Sequence, residues 1–261
     1  MLGSVLGPAI RPVAWQPPPA PARAGQASSD VPLPPLRVYD VGGPGPEDVL
    51  VDPADGSVLT GTADGRVLRL QPEAGSVRLV TNTGGRPLGL EWLPDGRLLV
   101  CDAHRGLLAV DPGRRKVEVL ATEAAGRPLG FCNNAAVAAD GTIWFTDSSA
   151  RFGIEHWKAD ILEHSGTGRL LRLDPDGSLE VVADGLHFPN GVALAEGNGG
   201  PQVFVAESGS YALSQRSADA TDPDLVPVID NLPGFPDNVA TGSDGLVWVA
   251  LASPRNAAVD R

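Results

Sequence analysis

The segment Phe188-Pro189-Asn190-Gly191-Val192-Ala193-Leu194 contains a short pattern that recurs along the chain with one position changed. Aligned on Asn190, the other copies are Pro46-Glu47-Asp48-Val49, Pro87-Leu88-Gly89-Leu90, Cys132-Asn133-Asn134-Ala135 and Pro236-Asp237-Asn238-Val239. Successive copies lie roughly 40 to 57 residues apart, a spacing typical of repeat architectures. The aligned position, called the register position below, is occupied in chain order by Glu47, Leu88, Asn133, Asn190 and Asp237.

A turn signal and a strand pattern follow every copy. About six to eight residues after the register position, an acidic residue precedes glycine, which adopts the positive φ that tight turns need. These pairs are Asp55-Gly56, Asp95-Gly96, Asp140-Gly141, Glu196-Gly197 and Asp244-Gly245. Apolar runs typical of buried strands come next, at Ser57–Thr62, Arg97–Cys101, Thr142–Thr146, Gln202–Ala206 and Leu246–Ala250. Further strands are predicted at Gly65–Leu70, Gly106–Val110 and Gly168–Leu173.

The repeating unit is therefore a small antiparallel meander, and its period indicates the architecture. Ankyrin, tetratricopeptide and HEAT repeats are excluded because no copy shows helical periodicity, and leucine-rich repeats are shorter. The sequence predicts an all-β protein, a β-propeller whose four-stranded blades surround a central channel. Leu36–Val41 is predicted to form an extra strand ahead of the first blade.

Composition indicates one globular domain preceded by an arm. Residues 1–35 are predicted to be a Pro/Ala-rich arm, flexible or loosely docked, and residues 36–261 the propeller. A net charge of −12 argues against nucleic-acid binding, which relies on Lys and Arg to neutralise phosphates. Residues 1–30 contain no apolar run long enough for a signal peptide or a membrane span. We therefore expect a cytoplasmic protein with a small-molecule substrate and no protein partner.

One insertion interrupts the third repeat at Ser148–Thr167. Ile154, Trp157 and Ile161 recur there at helical spacing, which predicts a short helix or an ordered loop over one face. The segment would act either as a lid or as a packing decoration.

The fifth copy of the repeat reaches Arg261 soon after its second strand. A closed ring normally completes every blade, because open sheet edges favour aggregation. We therefore expect this chain to be a shortened form of a longer one, with an irregular ring as the alternative.

The register position brings side chains from different blades to the same point of the fold. The innermost strand of each blade lines the channel, so Glu47, Asn133, Asn190 and Asp237 are predicted to meet at the axis. Two carboxylates and two carboxamides offer hard oxygen donors with a formal charge of −2, which suits a divalent cation and Ca²⁺ best. Without a cation the two carboxylates would repel each other.

Each of these residues also has a purely structural interpretation. Asn190 and Asp237 stand in turn-like contexts, where either side chain could bond its own backbone. Glu47 could be a solvated residue at the rim, and Asn133 could cap a strand end. Taken together, the four favour a site, because oxygen-bearing side chains share one register that only Leu88 departs from.

Several phrases in the chain resemble the strictosidine-synthase-like branch of the gluconolactonase/regucalcin superfamily, also called the senescence marker protein family. The resemblance covers the chain from about Leu36 to its end. It rests on Gly45-Pro46-Glu47-Asp48, Gly61-Thr62-Ala63-Asp64-Gly65-Arg66, Phe145-Thr146-Asp147-Ser148-Ser149, Gly168-Arg169-Leu170-Leu171-Arg172, Phe188-Pro189-Asn190-Gly191 and Leu232-Pro233-Gly234-Phe235-Pro236-Asp237-Asn238.

The resemblance implies a six-bladed propeller, so this chain would lack the end of blade five and blade six. It also implies a metal site built from Glu, Asn, Asn and Asp in that order. These ligands correspond to Glu47, Asn133, Asn190 and Asp237, the residues that the repeat alignment selects. The implied cofactor is Ca²⁺, with another divalent cation as the alternative.

Two departures from the family pattern bear on the reaction. Asn134 stands where many relatives have Asp, and it is predicted to contact or orient the substrate. Plant strictosidine synthases use a catalytic Glu in the last blade, which this chain lacks. Animal and bacterial members of the branch look more like hydrolases of lactones and aryl esters.

Together with the predicted metal site, the resemblance implies metal-assisted hydrolysis of a lactone or an aryl ester. The cation would polarise the carbonyl, and Asp237, or a water that it activates, would be the nucleophilic element. His187 is a candidate for proton transfer or substrate contact, with a structural role as its alternative. Two other functions stay open, an amine and aldehyde condensation of the strictosidine-synthase type and a non-catalytic binding platform.

Overall fold

The computed structural model describes residues 8–21, 34–197, 199–219, 224–256 and 259–260. These residues form antiparallel sheets, called blades, that follow one another along the chain. Blade 1 contains β1 (Leu50–Val51), β2 (Val58–Gly61), β3 (Arg66–Gln71) and β4 (Ser76–Asn82). Blade 2 contains β5 (Pro87–Trp92), β6 (Leu98–Asp102), β7 (Gly106–Asp111) and β8 (Lys116–Ala121). The short hairpin β9 (Glu123–Ala124) and β10 (Arg127–Pro128) leads to the next blade.

The second half of the chain repeats the same pattern. Blade 3 contains β11 (Cys132–Val137), β12 (Ile143–Asp147), β13 (Gly168–Leu173) and β14 (Leu179–Leu186). Blade 4 contains β15 (Pro189–Gly197), β16 (Gly200–Glu207), β17 (Ala212–Ser217) and β18 (Val226–Ile229). In blade 5 the described residues form the two strands β19 (Gly234–Thr241) and β20 (Val247–Pro254).

The first strands of neighbouring blades pack side by side, β5 against β11, β11 against β15 and β15 against β19. Every blade is a meander in which each strand pairs with the next. This radial arrangement of antiparallel sheets confirms the predicted all-β propeller.

Apolar cores lie between successive blades rather than at the centre of the molecule. Leu59, Val67, Val100 and Leu108 join blades 1 and 2, and they are fully or almost fully buried. The other interfaces contain Cys101, Leu107, Phe145 and Leu171 between blades 2 and 3, Trp144, Leu170, Val203 and Val205 between blades 3 and 4, and Ala193, Leu213 and Val239 between blades 4 and 5. Because both faces of blades 2 and 3 are covered, their middle strands β6, β7, β12 and β13 are almost entirely buried.

The predicted turns are confirmed in four copies. Gly56, Gly96, Gly141 and Gly245 all have positive φ, as an acidic-Gly turn requires. The prediction for Glu196-Gly197 is wrong, because both residues continue β15, and Gly197 pairs with Gly200. The positive φ that turns this hairpin belongs to Gly199 and Gly200.

One prediction about the N-terminal region is wrong. Leu36–Val41 forms no strand, and its side chains Leu36 and Val38 are exposed. Residues 8–21 of the arm are docked on the propeller. Val13 N–H donates to the Glu163 carbonyl at 2.8 Å, and Trp15 stacks on His164 with ring centroids 4.1 Å apart. Residues 22–33 of the arm lie outside the described residues.

The insertion in blade 3 is helical, as predicted. A 3-10 turn at Ile154–His156 runs into the helix α1 (Trp157–Glu163), which ends at His164 in the left-handed conformation. Ile154 and Ile161 pack on a cluster that includes Leu88 and Phe131. In the part of the chain that the structure describes, no helix is long and apolar enough to cross a membrane.

Candidate metal centre

Acidic side chains at the end of the second strand fix the loop that leads to the register residue in blades 2, 3 and 4. In blade 3, Asp147 Oδ1 accepts hydrogen bonds from the N–H groups of Gly130 at 3.0 Å and Phe131 at 2.8 Å. Its Oδ2 is held at 2.5 Å by the buried Arg169. The equivalent carboxylates are Asp102, which accepts from Arg86 N–H, and Glu207, which accepts from His187 N–H. The loops that carry the site therefore rest on the rigid blades.

These loops open into one cavity of about 1050 Å³. All five register residues line it, namely Glu47, Leu88, Asn133, Asn190 and Asp237. Asn133 and Asn190 are buried, with 3% and 7% of their surface exposed, while Glu47 and Asp237 are half-buried. The structure thus brings the four predicted ligands to the same cavity.

Direct hydrogen bonds connect part of this set. Asn190 Nδ2 donates to Asp237 Oδ1 at 2.6 Å, which joins blades 4 and 5 at the axis. Glu47 is contacted by Asn238, whose Nδ2 donates to Glu47 Oε1 at 3.3 Å. Asn238 follows the register position directly, and the repeat alignment did not single it out.

Three oxygen atoms of the set are buried without a hydrogen-bond partner among the described residues. They are Glu47 Oε2, Asn133 Oδ1 and Asn190 Oδ1. A buried polar atom that lacks a partner is costly, so three of them around one cavity indicate a missing ligand. Uncharged amide oxygens and a carboxylate oxygen suit a hard cation such as Ca²⁺. The residues present therefore fit the predicted ion.

Burial disfavours the charged form of both carboxyl groups, and a bound cation would stabilise that form. Burial raises the pKa of Glu47 to about 8, helped by the neighbouring carboxylates Asp48 and Asp237 and opposed by Arg86. Burial likewise raises the pKa of Asp237, against the hydrogen bond from Asn190. Among the described residues no group of three or more His, Cys, Asp and Glu gathers as a metal cluster, so this site depends on its two carboxamides.

Asn134 does not line the cavity. Its Oδ1 accepts from Val192 N–H at 3.2 Å, and its Nδ2 donates to Asn238 Oδ1 at 3.3 Å. Both ends of the carboxamide thus link the inner strands of blades 3, 4 and 5. The predicted contact with substrate stays a prediction.

His187 is also absent from the cavity lining. Its ring stacks on His164 at a centroid distance of 4.0 Å, and His164 stacks in turn on Trp15. Burial lowers the pKa of His187, and burial lowers that of His164 to about 4. The side chain therefore belongs to a column of neutral rings, and its predicted role in proton transfer stays a prediction.

Part of the cavity lining is apolar, and these side chains are called the apolar wall below. Leu88, Phe131 and Phe188 are buried, and the two phenyl rings meet edge to face at 5.4 Å. Trp157 and Leu162 on the insertion extend the wall while remaining 45% and 50% exposed. The insertion thus packs on the propeller through some residues and borders the cavity with others.

Residues 47–260 match the family described as SMP-30/Gluconolactonase/LRE-like region. The chain belongs to this family. The match begins at Glu47 and contains every register residue. It confirms the relationship that the sequence phrases indicated.

Among curated proteins the chain is similar to two groups of relatives. It is 35% identical over 233 residues to the adipocyte plasma membrane-associated protein of Bos taurus, covering 80% of this chain and 56% of that protein. It is 34% identical over 213 residues to protein strictosidine synthase-like 6 of Arabidopsis thaliana, with the same two coverages of 80% and 56%. The chain therefore spans just over half the length of these relatives.

Solved structures support the fold. A gluconolactonase from Xanthomonas campestris superposes with a TM-score of 0.63 at 24% identity, over 80% of this chain and 70% of that one. The calcium-binding protein regucalcin from Agrobacterium tumefaciens gives 0.59 at 16% identity, over 79% and 67%. The matched gluconolactonases and lyases are six-bladed propellers.

Proposed function

We propose that this protein is a Ca²⁺-dependent hydrolase of lactones or aryl esters. The observation that carries the proposal is the set of three buried, unpartnered oxygen atoms on Glu47, Asn133 and Asn190, beside the carboxylate of Asp237. The family match supports a propeller enzyme, and similarity to a gluconolactonase and to a calcium-binding regucalcin agrees with the chemistry.

The chain would supply the ligands of the cation and a proton acceptor. Glu47, Asn133 and Asn190 would hold the ion with their unpartnered oxygens, together with the carboxylate of Asp237. Bound Ca²⁺ would supply positive charge that polarises the substrate carbonyl and stabilises negative charge on its oxygen. Asp237, which lines the same cavity, would take a proton from the attacking water.

The apolar wall sets the substrate class. Leu88 occupies a register position and, with Phe131 and Phe188, offers one side of the cavity no hydrogen-bonding group. A substrate with an aryl or alkyl group on one side and its carbonyl on the other buries apolar surface there. Strongly polar sugar lactones would leave their hydroxyl groups facing these side chains, so we expect them to be poorer substrates.

A hydrolysis panel tests the proposal. Chelator-stripped protein is assayed with phenyl acetate, an alkyl-substituted lactone and a sugar lactone, before and after Ca²⁺ is restored. We expect turnover of the first two only with Ca²⁺. Turnover that is indifferent to the chelator, or none with any member of a broad panel at saturating Ca²⁺, would refute the hydrolase.

Asp244→Asn provides the matched control for substitution of Asp237 in this assay. Asp244 is an exposed carboxylate of the same blade as Asp237, and it caps a turn by accepting from Leu246 N–H at 3.0 Å. Its neutralisation should leave the Ca²⁺ requirement unchanged. The comparison separates the axial carboxylate from a general effect of negative charge.

A further inference from the structure

One position just after the second strand is equivalent in blades 2, 3 and 4. Its N–H donates to the carbonyl two residues before the register residue. These bonds are Ala103 to Arg86 at 2.9 Å, Ser148 to Phe131 at 2.9 Å and Ser208 to Phe188 at 3.1 Å. The residue type follows the register residue, because serine accompanies Asn133 and Asn190 whereas alanine accompanies Leu88.

The strand register extends this correspondence to blade 5. Val239 pairs with Val249 there, as Val192 pairs with Val205 in blade 4. Ala252 is therefore the counterpart of Ser208, and it lines the cavity near the carboxylate Asp237. Among blades 2 to 5, serine thus occurs at this position only where the register residue is a carboxamide.

The direction in which each serine hydroxyl donates its hydrogen bond is fixed. Ser148 Oγ donates to the Pro189 carbonyl at 2.7 Å, and Ser208 Oγ donates to the Pro236 carbonyl at 2.5 Å. A carbonyl oxygen accepts hydrogen bonds and cannot donate them, so each hydroxyl must donate its single proton to that carbonyl. Only lone pairs remain to face the neighbouring carboxamide.

The two carboxamides donate hydrogen bonds to these serine oxygens through their NH₂ groups. Asn133 Nδ2 donates to Ser148 Oγ at 2.8 Å, and Asn190 Nδ2 donates to Ser208 Oγ at 3.3 Å. Their Oδ1 atoms are the buried oxygens that have no partner among the described residues. We propose that Ser148 and Ser208 are positioning residues, which orient the two carboxamides so that oxygen, and not the NH₂ group, faces the cation.

Only a carboxamide ligand, and not a carboxylate, needs a neighbouring group to fix its orientation. A carboxylate presents oxygen whichever way it is turned, whereas a rotated carboxamide would point N–H donors at a positive ion. This inference rests on the metal site of the proposed function, although it does not depend on hydrolysis. Groups that orient metal ligands typically change metal affinity by about 10- to 100-fold.

Calorimetric Ca²⁺ titration of chelator-stripped protein tests the inference. Ser148→Ala and Ser208→Ala should each weaken Ca²⁺ binding by about tenfold or more. Ser148→Thr, which keeps the hydroxyl, should restore the affinity. Thr241→Ala is the control, because Thr241 Oγ1 also donates across blades 4 and 5, to the Leu194 carbonyl at 2.7 Å, away from the cavity lining.

The Asn133→Asp background distinguishes orientation from general support of the fold. With a carboxylate at this position, Ser148→Ala should leave Ca²⁺ affinity unchanged or improve it, since the lone pairs no longer meet an N–H donor. An equal loss in the Asn and Asp backgrounds, or wild-type affinity of both alanine variants, would overturn the proposal.

The outcomes keep this inference separate from the hydrolase. If the folded wild-type protein binds no Ca²⁺, both the metal site and the positioning role of the serines are refuted. A protein that binds Ca²⁺ and shows the predicted coupling between Ser148 and Asn133 supports the positioning role, even if no ester or lactone is hydrolysed.

Discussion

The two sides of the cavity differ in how completely their groups are satisfied. At the polar axis, Glu47, Asn133 and Asn190 each leave one buried oxygen unpartnered among the described residues. On the apolar wall, Leu88 and Phe131 are packed into a closed cluster with at most 3% of their surface exposed. The axis thus retains buried groups that a bound ligand would pair, whereas the wall is already packed. Substitutions on the two sides should therefore have separable effects.

The largest effect is expected at the axis. Asp237→Ala removes a carboxylate beside Asn190, and we expect it to abolish Ca²⁺-dependent turnover and the rise in Tm that Ca²⁺ produces in the wild type. The metal-free variant should be no less stable than the metal-free wild type, since a half-buried carboxylate with a raised pKa is lost. Differential scanning fluorimetry with and without Ca²⁺ measures both. A variant that keeps its Ca²⁺-induced shift would remove Asp237 from the ligand set.

The converse variant is made in the wall. Phe131→Ala removes a ring that is 3% exposed and packs edge to face with Phe188, so it should lower the free energy of unfolding by about 3–5 kcal/mol. Ca²⁺ affinity should stay near the wild-type value at temperatures where the variant is folded. Denaturant unfolding and calorimetry give the two numbers. Loss of affinity with unchanged stability would contradict the division between wall and axis.

A smaller effect is expected where the wall meets solvent. Trp157 is 45% exposed and borders the cavity, so Trp157→Ala should barely change stability. We expect KM for aryl esters to rise by about two- to fivefold, equivalent to roughly 0.4–1 kcal/mol of binding free energy. Steady-state kinetics with phenyl acetate and a small alkyl lactone measure the effect, and the lactone should be less affected. A fall in kcat with KM unchanged would argue against substrate contact.

The smallest effect concerns pH. Burial and the neighbouring His187 lower the pKa of His164 from 6.5 to about 4, so the unfolded state binds this proton first as the pH falls. The stability associated with neutral His164 is present above pH 6.5 and is lost as the pH falls towards 4. His164→Phe should therefore reduce the loss of Tm between about pH 7 and about pH 5, by about 2–4 °C. An identical pH dependence in the variant would contradict this assignment.

Local pattern was sufficient to predict the blades and the register. Acidic-Gly turns and apolar strands are encoded by neighbouring residues, so the strand positions and the inward residues followed from the repeat alone. The error at Glu196-Gly197 has the same origin. Gly199 and Gly200 are equally suited to a turn a few residues later, and β15 and β16 pair up to that point, so the turn forms there.

Features that depend on contacts between blades were not predictable in this way. Ser148 lies fifteen residues from Asn133 and meets it only because β11 and β12 pair, and Asn238 reaches Glu47 from another blade. Docking of Trp15 on His164 likewise joins distant parts of the chain. A comparison of the residues at equivalent strand ends across blades would have revealed the serines, because they vary together with the carboxamides.

Calcium titration calorimetry of the chelator-stripped wild-type protein tests the central claim most directly. The arrangement of Glu47, Asn133, Asn190 and Asp237 predicts saturable binding of about one Ca²⁺ per chain. Mg²⁺ should bind more weakly, because it loses its water reluctantly and demands near-ideal octahedral geometry. A protein shown to be folded by circular dichroism that releases no heat with Ca²⁺, and whose Tm Ca²⁺ leaves unchanged, would contradict the account.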